Sequence, residues 1–304
     1  MLPDAPPGLH ALWPAAALPF VQLARIDRPI GWQLLLIPCW WGSALGSLAT
    51  GTTLHVAHLA LFAVGAIAMR GAGSTFNDLA DRDLDRKVER TRGRPLAAGR
   101  VRPRWAMLFI VFQALVGLAV LLCFNRATIL LGLLALVPVA VYPFMKRITN
   151  WPQAVLGLAF AWGALVGWSA ITGGLAWPAV ALYAAAILWT MGYDTIYAVQ
   201  DIADDSTVGI GSTAIAFGPH VRAGVASLYA GAVALAGAAL AGTGAGPLAW
   251  AGLAGFAAHL AWQVLRIEPD RPAQARRLFR SNWHAGLILF AGLAAQVLSV
   301  DLGG

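Results

Sequence analysis

The sequence predicts an all-α polytopic membrane protein with nine transmembrane helices. The first observation is composition: the 304-residue chain is 59% apolar and 12% charged, whereas soluble domains carry about 25% charged residues. The second is that apolar runs of about 20 residues, the length that crosses a bilayer, recur along the chain. The third is that basic residues collect in alternate loops. Together they exclude a soluble enzyme and a disordered chain.

Nine apolar runs bounded by turn or charge signals are the predicted spans. Residues 1–27 precede them as a cytosolic lead-in without the basic start of a signal peptide. Residues 28–304 form one transmembrane domain. The predicted spans cover about 28–48, 55–76, 104–124, 126–145, 152–172, 177–200, 221–241, 245–265 and 282–301.

Lys and Arg predict the orientation. With the N-terminus in the cytosol, Arg126 is the only basic residue in an outer loop, which satisfies the positive-inside rule. The predicted location is a membrane, the bacterial inner membrane, with the C-terminus outside. The net charge of +7 then reflects loops facing anionic lipid. No RNA- or DNA-reading module is present, so no nucleic-acid partner is expected, and the sequence does not indicate an oligomeric state.

Nine of the fourteen acidic residues stand in two short windows, each where a span reaches the cytosol. Within each window, polar residues are spaced by seven and then by four positions, and these steps return to one face of an α-helix. Each helix therefore carries a polar stripe, and the matching spacing suggests a parallel internal repeat. The first stripe consists of Arg70, Asn77, Asp81 and Asp85, and the second of Asp194, Asp201 and Asp205.

Oxygen ligands without His or Cys are suited to Mg²⁺, which takes one or two carboxylates and completes its shell with water and phosphate. Two such sites can clamp a diphosphate and stabilise it as a leaving group, and arginines such as Arg70 and Arg94 match phosphate oxygens. The candidate metal ligands are therefore the amide and carboxylate oxygens of the two stripes, the first of which Asp85 extends by one turn.

These motifs resemble those of the UbiA-type membrane prenyltransferases, and the similarity extends from about residue 20 to residue 300. Its two acidic motifs are specific in combination. The matching segments are Asn77–Asp85 (NDLADRDLD), Arg90–Leu96 (RTRGRPL), Tyr193–Ala198 (YDTIYA), Gly209–Ala214 (GIGSTA), Arg25–Gly31 (RIDRPIG) and Tyr142–Arg147 (YPFMKR).

The closest resemblance is to members that prenylate 4-hydroxybenzoate for ubiquinone biosynthesis. It implies nine helices around a central cavity, a small cytosolic cap formed by the loops at about 77–103 and 201–220, and a lateral opening to membrane lipid. It implies Mg²⁺-dependent transfer of a polyprenyl group from polyprenyl diphosphate to the ring carbon beside the phenol, with release of diphosphate. The metal ligands that it implies are Asn77, Asp81, Asp201 and Asp205, with Asp85 as a further candidate. Asp194 and Tyr197 are the candidate catalytic residues. Lys146 joins Arg94 as a candidate diphosphate ligand, and either Arg28 or Arg70 holds the acceptor carboxylate. Where the family often has a basic residue, this chain has Gly211.

Three alternatives remain. Another acceptor in the same family (haem, dihydroxynaphthoate or homogentisate) is the nearest. A CDP-alcohol phosphotransferase lacks support because its Asp-Gly-x-x-Ala-Arg core is absent from the sequence. An Asp-coupled secondary transporter is the most distant, since such proteins place their acids at the membrane midplane.

Overall fold

The computed structural model describes residues 13–89, 91–145, 148–149, 151–202, 211–268 and 271–301. In these ranges the regular structure is helical throughout, as predicted. The helices are α1 (Leu18–Leu23), α2 (Ile30–Thr50), α3 (Val56–Ala80), α4 (Arg82–Asp85), α5 (Pro103–Leu121), α6 (Arg126–Leu134), α7 (Leu136–Met145), α8 (Pro152–Ala161), α9 (Gly163–Thr172), α10 (Trp177–Ala198), α11 (Thr213–Phe217), α12 (Val221–Gly242), α13 (Pro247–Leu265) and α14 (Pro272–Asp301).

Seven helical stretches in the described part of the chain are long and apolar enough to cross a membrane. They match seven of the nine predicted spans, two of them as helix pairs that continue one another (α8 with α9, and α11 with α12). The other two predicted spans are α2, which has 21 residues, and the α6–α7 pair. The all-helical membrane fold is thus confirmed, while the count of nine and the central cavity stay predictions.

The predicted span 126–145 is interrupted at Ala135, between α6 and α7. Pro138 explains the break, because a proline lacks the amide hydrogen and its ring clashes with the carbonyl four residues earlier, here that of Leu134. The prediction of one uninterrupted helix over 126–145 is wrong at that position.

The last helix begins ten residues before its predicted start, at Pro272 instead of 282. The predicted span began at 282 because a cluster of arginines precedes the apolar run. In the structure these arginines occupy one side of a helical extension. Ala275 and Leu278 lie on its other side and are buried. An amphipathic turn of this kind continues a helix beyond its apolar segment.

The described chain forms two compact units, here called the first and the second unit. The first comprises the chain up to Leu35 together with Ala60–Cys123, and the second comprises Leu36–Leu59 together with the chain from Phe124 onward. The helices α2 and α3 contribute residues to both.

An apolar cluster that includes residues of the loop between α4 and α5 forms a core of the first unit. Leu23, Leu96, Val101 and Ala106 are buried there. Ser74 of α3 donates a hydrogen bond to the Leu23 carbonyl oxygen at 2.7 Å. The segment that includes α1, which was predicted as part of a cytosolic lead-in, is therefore packed onto α3.

The core of the second unit is aromatic. The rings of Trp41 and Trp189 lie 4.8 Å apart, and Phe256 packs edge-on against both. Trp189 also donates a hydrogen bond to the buried Asn282 amide oxygen at 2.8 Å, so α10 and α14 are joined by a polar contact inside an apolar core, a common device between membrane helices.

Candidate active site

The first stripe lies where α3 ends and α4 begins. The backbone amide of Asp81 donates to the Asn77 carbonyl at 2.9 Å, and that of Asp85 to the Asp81 carbonyl at 2.8 Å. The three residues thus stand one turn apart along a nearly continuous helix, as their spacing predicts. Asp81 and Asp85 are buried and Asn77 is half-buried, so amide and carboxylate oxygens are held along one short path.

A chain of buried ion pairs runs beside this stripe. Arg25 donates two hydrogen bonds to the carboxylate of Asp78, at 2.7 and 2.9 Å. Arg94 bridges Asp78 and Asp85, at 3.0 Å to each. Two residues assigned to different roles by the sequence, Asp85 to metal and Arg94 to diphosphate, are therefore bound to each other in this structure.

Burial acts on both ends of the ion-pair chain. It lowers the pKa of the Arg25 guanidinium to about 10, although the neighbouring Asp78 raises it. Burial likewise raises the pKa of the Asp85 carboxyl above its ordinary value, although Arg94 lowers it. Both groups are desolvated, and the ion pairs offset the cost of burying their charges.

The predicted acceptor-binding arginines lie in the first unit. Arg28 Nε is 3.6 Å from Asp27 Oδ2. Arg70 packs its guanidinium over Gly31 so closely that a Cβ on this glycine would lie 2.6 Å from Arg70 Nε. The glycine thereby leaves room for the Arg70 side chain at the beginning of α2.

The second stripe belongs to the second unit. Asp194 and Tyr197 are half-buried and three positions apart on α10, so they share one side of that helix, whereas the residues flanking them are buried. The ring of Tyr197 lies 4.8 Å from that of Phe279. The backbone of Asp201 ends the 3₁₀ turn Val199–Asp201. The Asp201 side chain, Asp205 and Lys146 lie outside the described part of the structure.

Buried hydroxyls hold the second motif together. Thr195 on α10 shares a hydrogen bond of 2.6 Å with Thr213, the first residue of α11. The Thr213 amide donates to the Gln153 side chain of α8 at 3.0 Å. The helices α10 and α11, which flank the loop after α10, are thereby joined to each other and to α8.

Arg25 and Asp78 were not predicted as site residues. One signal was available: adjacent helical residues point about 100° apart, so Asp78 cannot share the direction of Asn77 and needs a cation on another side. The identity of that cation was not readable, because Arg25 is 53 positions away in sequence.

Searches for similar proteins give one family. The model of the UbiA prenyltransferase family matches residues 35–289. A relative from Aedes aegypti, named as mitochondrial 4-hydroxybenzoate polyprenyltransferase, is 45% identical over 281 residues, which make up 92% of this chain. The aligned region spans 64% of that relative's own length.

Solved structures have the same fold. The apo structure of a UbiA homolog from Aeropyrum pernix K1 is 28% identical with a TM-score of 0.71, covering 89% of this chain and 98% of the other. A UbiA homolog from Archaeoglobus fulgidus, bound to GPP and Mg²⁺, is 21% identical with a TM-score of 0.68, covering 93% and 99%.

Proposed function

Since this chain belongs to the UbiA prenyltransferase family, we propose that it transfers a polyprenyl group from polyprenyl diphosphate to 4-hydroxybenzoate. The allylic C–O bond breaks and diphosphate leaves. The new C–C bond forms at the ring carbon ortho to the phenol, a base removes the proton from that carbon, and the product serves ubiquinone biosynthesis. The observation that carries the proposal is the oxygen-donor stripe of Asn77, Asp81 and Asp85 at the end of α3, in a chain 45% identical to a relative of that name.

The proposed metal ligands are the amide and carboxylate oxygens of the two stripes. In the described residues, no group of three or more His, Cys, Asp or Glu is gathered closely enough to hold an ion. Asn77 and Asp81 nevertheless fit Mg²⁺, because this ion takes one or two carboxylates and leaves other positions to water and substrate phosphate. Asp201 and Asp205 are the proposed ligands from the second stripe. Asp85 is proposed as a further ligand that exchanges its bond to Arg94 for the metal.

Basic residues complete the proposed diphosphate site. Arg70 and Lys146 are proposed to bind phosphate oxygens, and Arg94 to join them when Asp85 turns to the metal. Arg28 or Arg70 holds the carboxylate of the acceptor. A guanidinium suits both anions because it forms two parallel hydrogen bonds.

The reaction needs charge stabilisation, a dry environment and a base. Mg²⁺, when bound, draws charge from the diphosphate and makes it a better leaving group. Aromatic faces such as that of Tyr197 stabilise the positive charge that develops on the allylic carbon, and the apolar helices keep water from that carbon. Asp194, one turn before Tyr197, orients the phenol or accepts its proton.

The proposed setting is an integral membrane protein with its N-terminus and reaction site on the cytosolic side of a bacterial inner membrane. The relative from Aedes aegypti is named as mitochondrial. In both settings a lipid bilayer supplies the long isoprenoid and takes up the product.

The direct test is mass spectrometry of lipids from membranes that contain the protein, supplied with 4-hydroxybenzoate and geranyl diphosphate. We expect prenylated 4-hydroxybenzoate with Mg²⁺ and none with excess chelator. Haem, dihydroxynaphthoate and homogentisate, supplied in parallel, separate the acceptors. A product from one of these alone would overturn the acceptor, and a product that forms equally in chelator would overturn the metal.

A further inference from the structure

Arg25 occupies a backbone position that normally belongs to glycine. It follows α1 with φ = +55°, and no other described non-glycine residue has a positive φ. The amide of Ile26 donates to the Val21 carbonyl at 3.1 Å and the amide of Arg25 to the Gln22 carbonyl at 3.3 Å. This is the Schellman pattern of a helix end, in which the left-handed residue is usually glycine.

The side chain of Arg25 offers a reason for this exception. Its guanidinium forms two bonds to Asp78, whose side chain is 1% exposed. Asp78 stands on the last turn of α3, next to Asn77 and three positions before Asp81. The same face of α3 carries Ser74, which binds the Leu23 carbonyl two residues before Arg25. Two contacts one turn apart therefore tie α3 to the end of α1.

We propose that Arg25 is a positioning residue for the Mg²⁺–diphosphate site, acting through its two-bond contact with Asp78. The contact prevents the last turn of α3 from rotating about its axis, and so sets the direction in which Asn77 and Asp81 present their oxygens. It also engages both oxygens of Asp78 and so withholds this carboxylate from the metal. The inference rests on the proposed function only in its metal and diphosphate site, not in the acceptor.

Two substitutions separate this role from the simpler ones. If Arg25 only ends the helix, Arg25→Gly is harmless, because glycine is the preferred residue in that conformation. If it only neutralises Asp78, Arg25→Lys is harmless, because the charge is kept. A positioning role predicts that both variants weaken the site. Neither retains a planar guanidinium whose Nη2 donates to both oxygens of Asp78 while its Nη1 is held by the Gln22 carbonyl at the end of α1. Arg102→Lys, at an exposed arginine of the same unit, is the matched control.

The measurement is the melting temperature of the detergent-solubilised full chain as Mg²⁺ is added at a fixed concentration of inorganic diphosphate. This readout does not depend on prenyl transfer. We expect both Arg25 variants to need at least about tenfold more Mg²⁺ for half of the wild-type stabilisation, as for residues that orient metal ligands. Asp78→Asn, which also weakens the bond from Arg94 to Asp78, is expected to give at least that shift. Arg25→Lys combined with Asp78→Asn is expected to shift the midpoint no further than Asp78→Asn alone, because the contact between Arg25 and Asp78 is already lost in the single variant.

The proposal would be overturned if either Arg25 variant had the wild-type Mg²⁺ midpoint. It would also be overturned if the midpoint shifts of Arg25→Lys and Asp78→Asn added up in the double variant. A wild-type chain that Mg²⁺ and diphosphate do not stabilise would overturn it too, because no site would then exist to be positioned. If both Arg25 variants fail to fold, a wild-type Mg²⁺ midpoint in Asp78→Asn would overturn the proposal. A wild-type chain that binds Mg²⁺ and diphosphate but does not prenylate 4-hydroxybenzoate contradicts the proposed function and leaves the titration to decide on Arg25.

Discussion

Asp81 and Asp83 are two positions apart at the end of α3, yet their surroundings differ. Asp81 is buried on the stripe with Asn77, whereas the side chain of Asp83 is 85% exposed beside Arg86. We expect Asp81→Asn to lower prenyl transfer at least about 100-fold, because it removes a charged metal ligand, and Asp83→Asn to leave it within about twofold of the wild type. Product formation at saturating Mg²⁺ measures both. Equal losses would argue against the stripe as the metal site.

Gly31 offers a second test at the level of single residues. Its missing side chain gives the Arg70 guanidinium its place, so Gly31→Ala must displace the end of a flexible side chain while leaving the backbone in place. We expect the KM for the substrate that Arg70 binds, polyprenyl diphosphate or 4-hydroxybenzoate, to rise about tenfold. This is the effect of losing one charge-assisted hydrogen bond. Thermal stability should change little.

The control for Gly31 is Gly73→Ala on α3, where an added Cβ meets nothing within 4 Å. This variant should match the wild type in KM. If Gly31→Ala instead has the wild-type KM, the position of Arg70 over α2 does not matter for binding.

Among the helices, the packing of α2 against α9 depends on missing side chains. A Cβ on Gly42 would collide with the backbone carbonyl of Ala164, and one on Gly167 with that of Cys39. We expect Gly42→Ala to lower the free energy of unfolding by about 1–3 kcal/mol, because two helix backbones would have to separate. The measurement is thermal unfolding in detergent, compared with Gly237→Ala, whose Cβ would meet only ordinary contacts. An unchanged melting temperature for Gly42→Ala would contradict this packing.

The helices also show which features were predictable. Apolar runs located the spans, and the four-residue spacing placed Asn77 and Asp81 one turn apart, because both signals are periodic and local. The helix α1 was missed because its six residues are too few to produce a period. Its link to α3 was missed as well, since a pairing of Arg25 with Asp78 has no local signal in the sequence.

For the whole molecule, the predicted orientation depends on whether the α6–α7 pair crosses the membrane. If it does, Leu175 lies outside, while Arg102 and Arg271 lie in the cytosol, which keeps the basic loops on one side. If the pair lies along the surface instead, Leu175 moves to the side of Arg102, and the arginine-rich start of α14 moves outside. The break at Ala135 makes this the element on which the count of nine depends.

Cysteine labelling separates the two topologies. In a chain with Cys39→Ala and Cys123→Ala, we expect a membrane-impermeant maleimide added to intact cells to label Leu175→Cys. Arg102→Cys and Arg271→Cys should react only after detergent is added, although Leu175 and Arg271 are both well exposed. Labelling of Arg271→Cys in intact cells, with protection of Leu175→Cys, would show that the α6–α7 pair does not cross. The positive-inside distribution makes that outcome unfavourable, because it would place the arginines of α14 on the outer side.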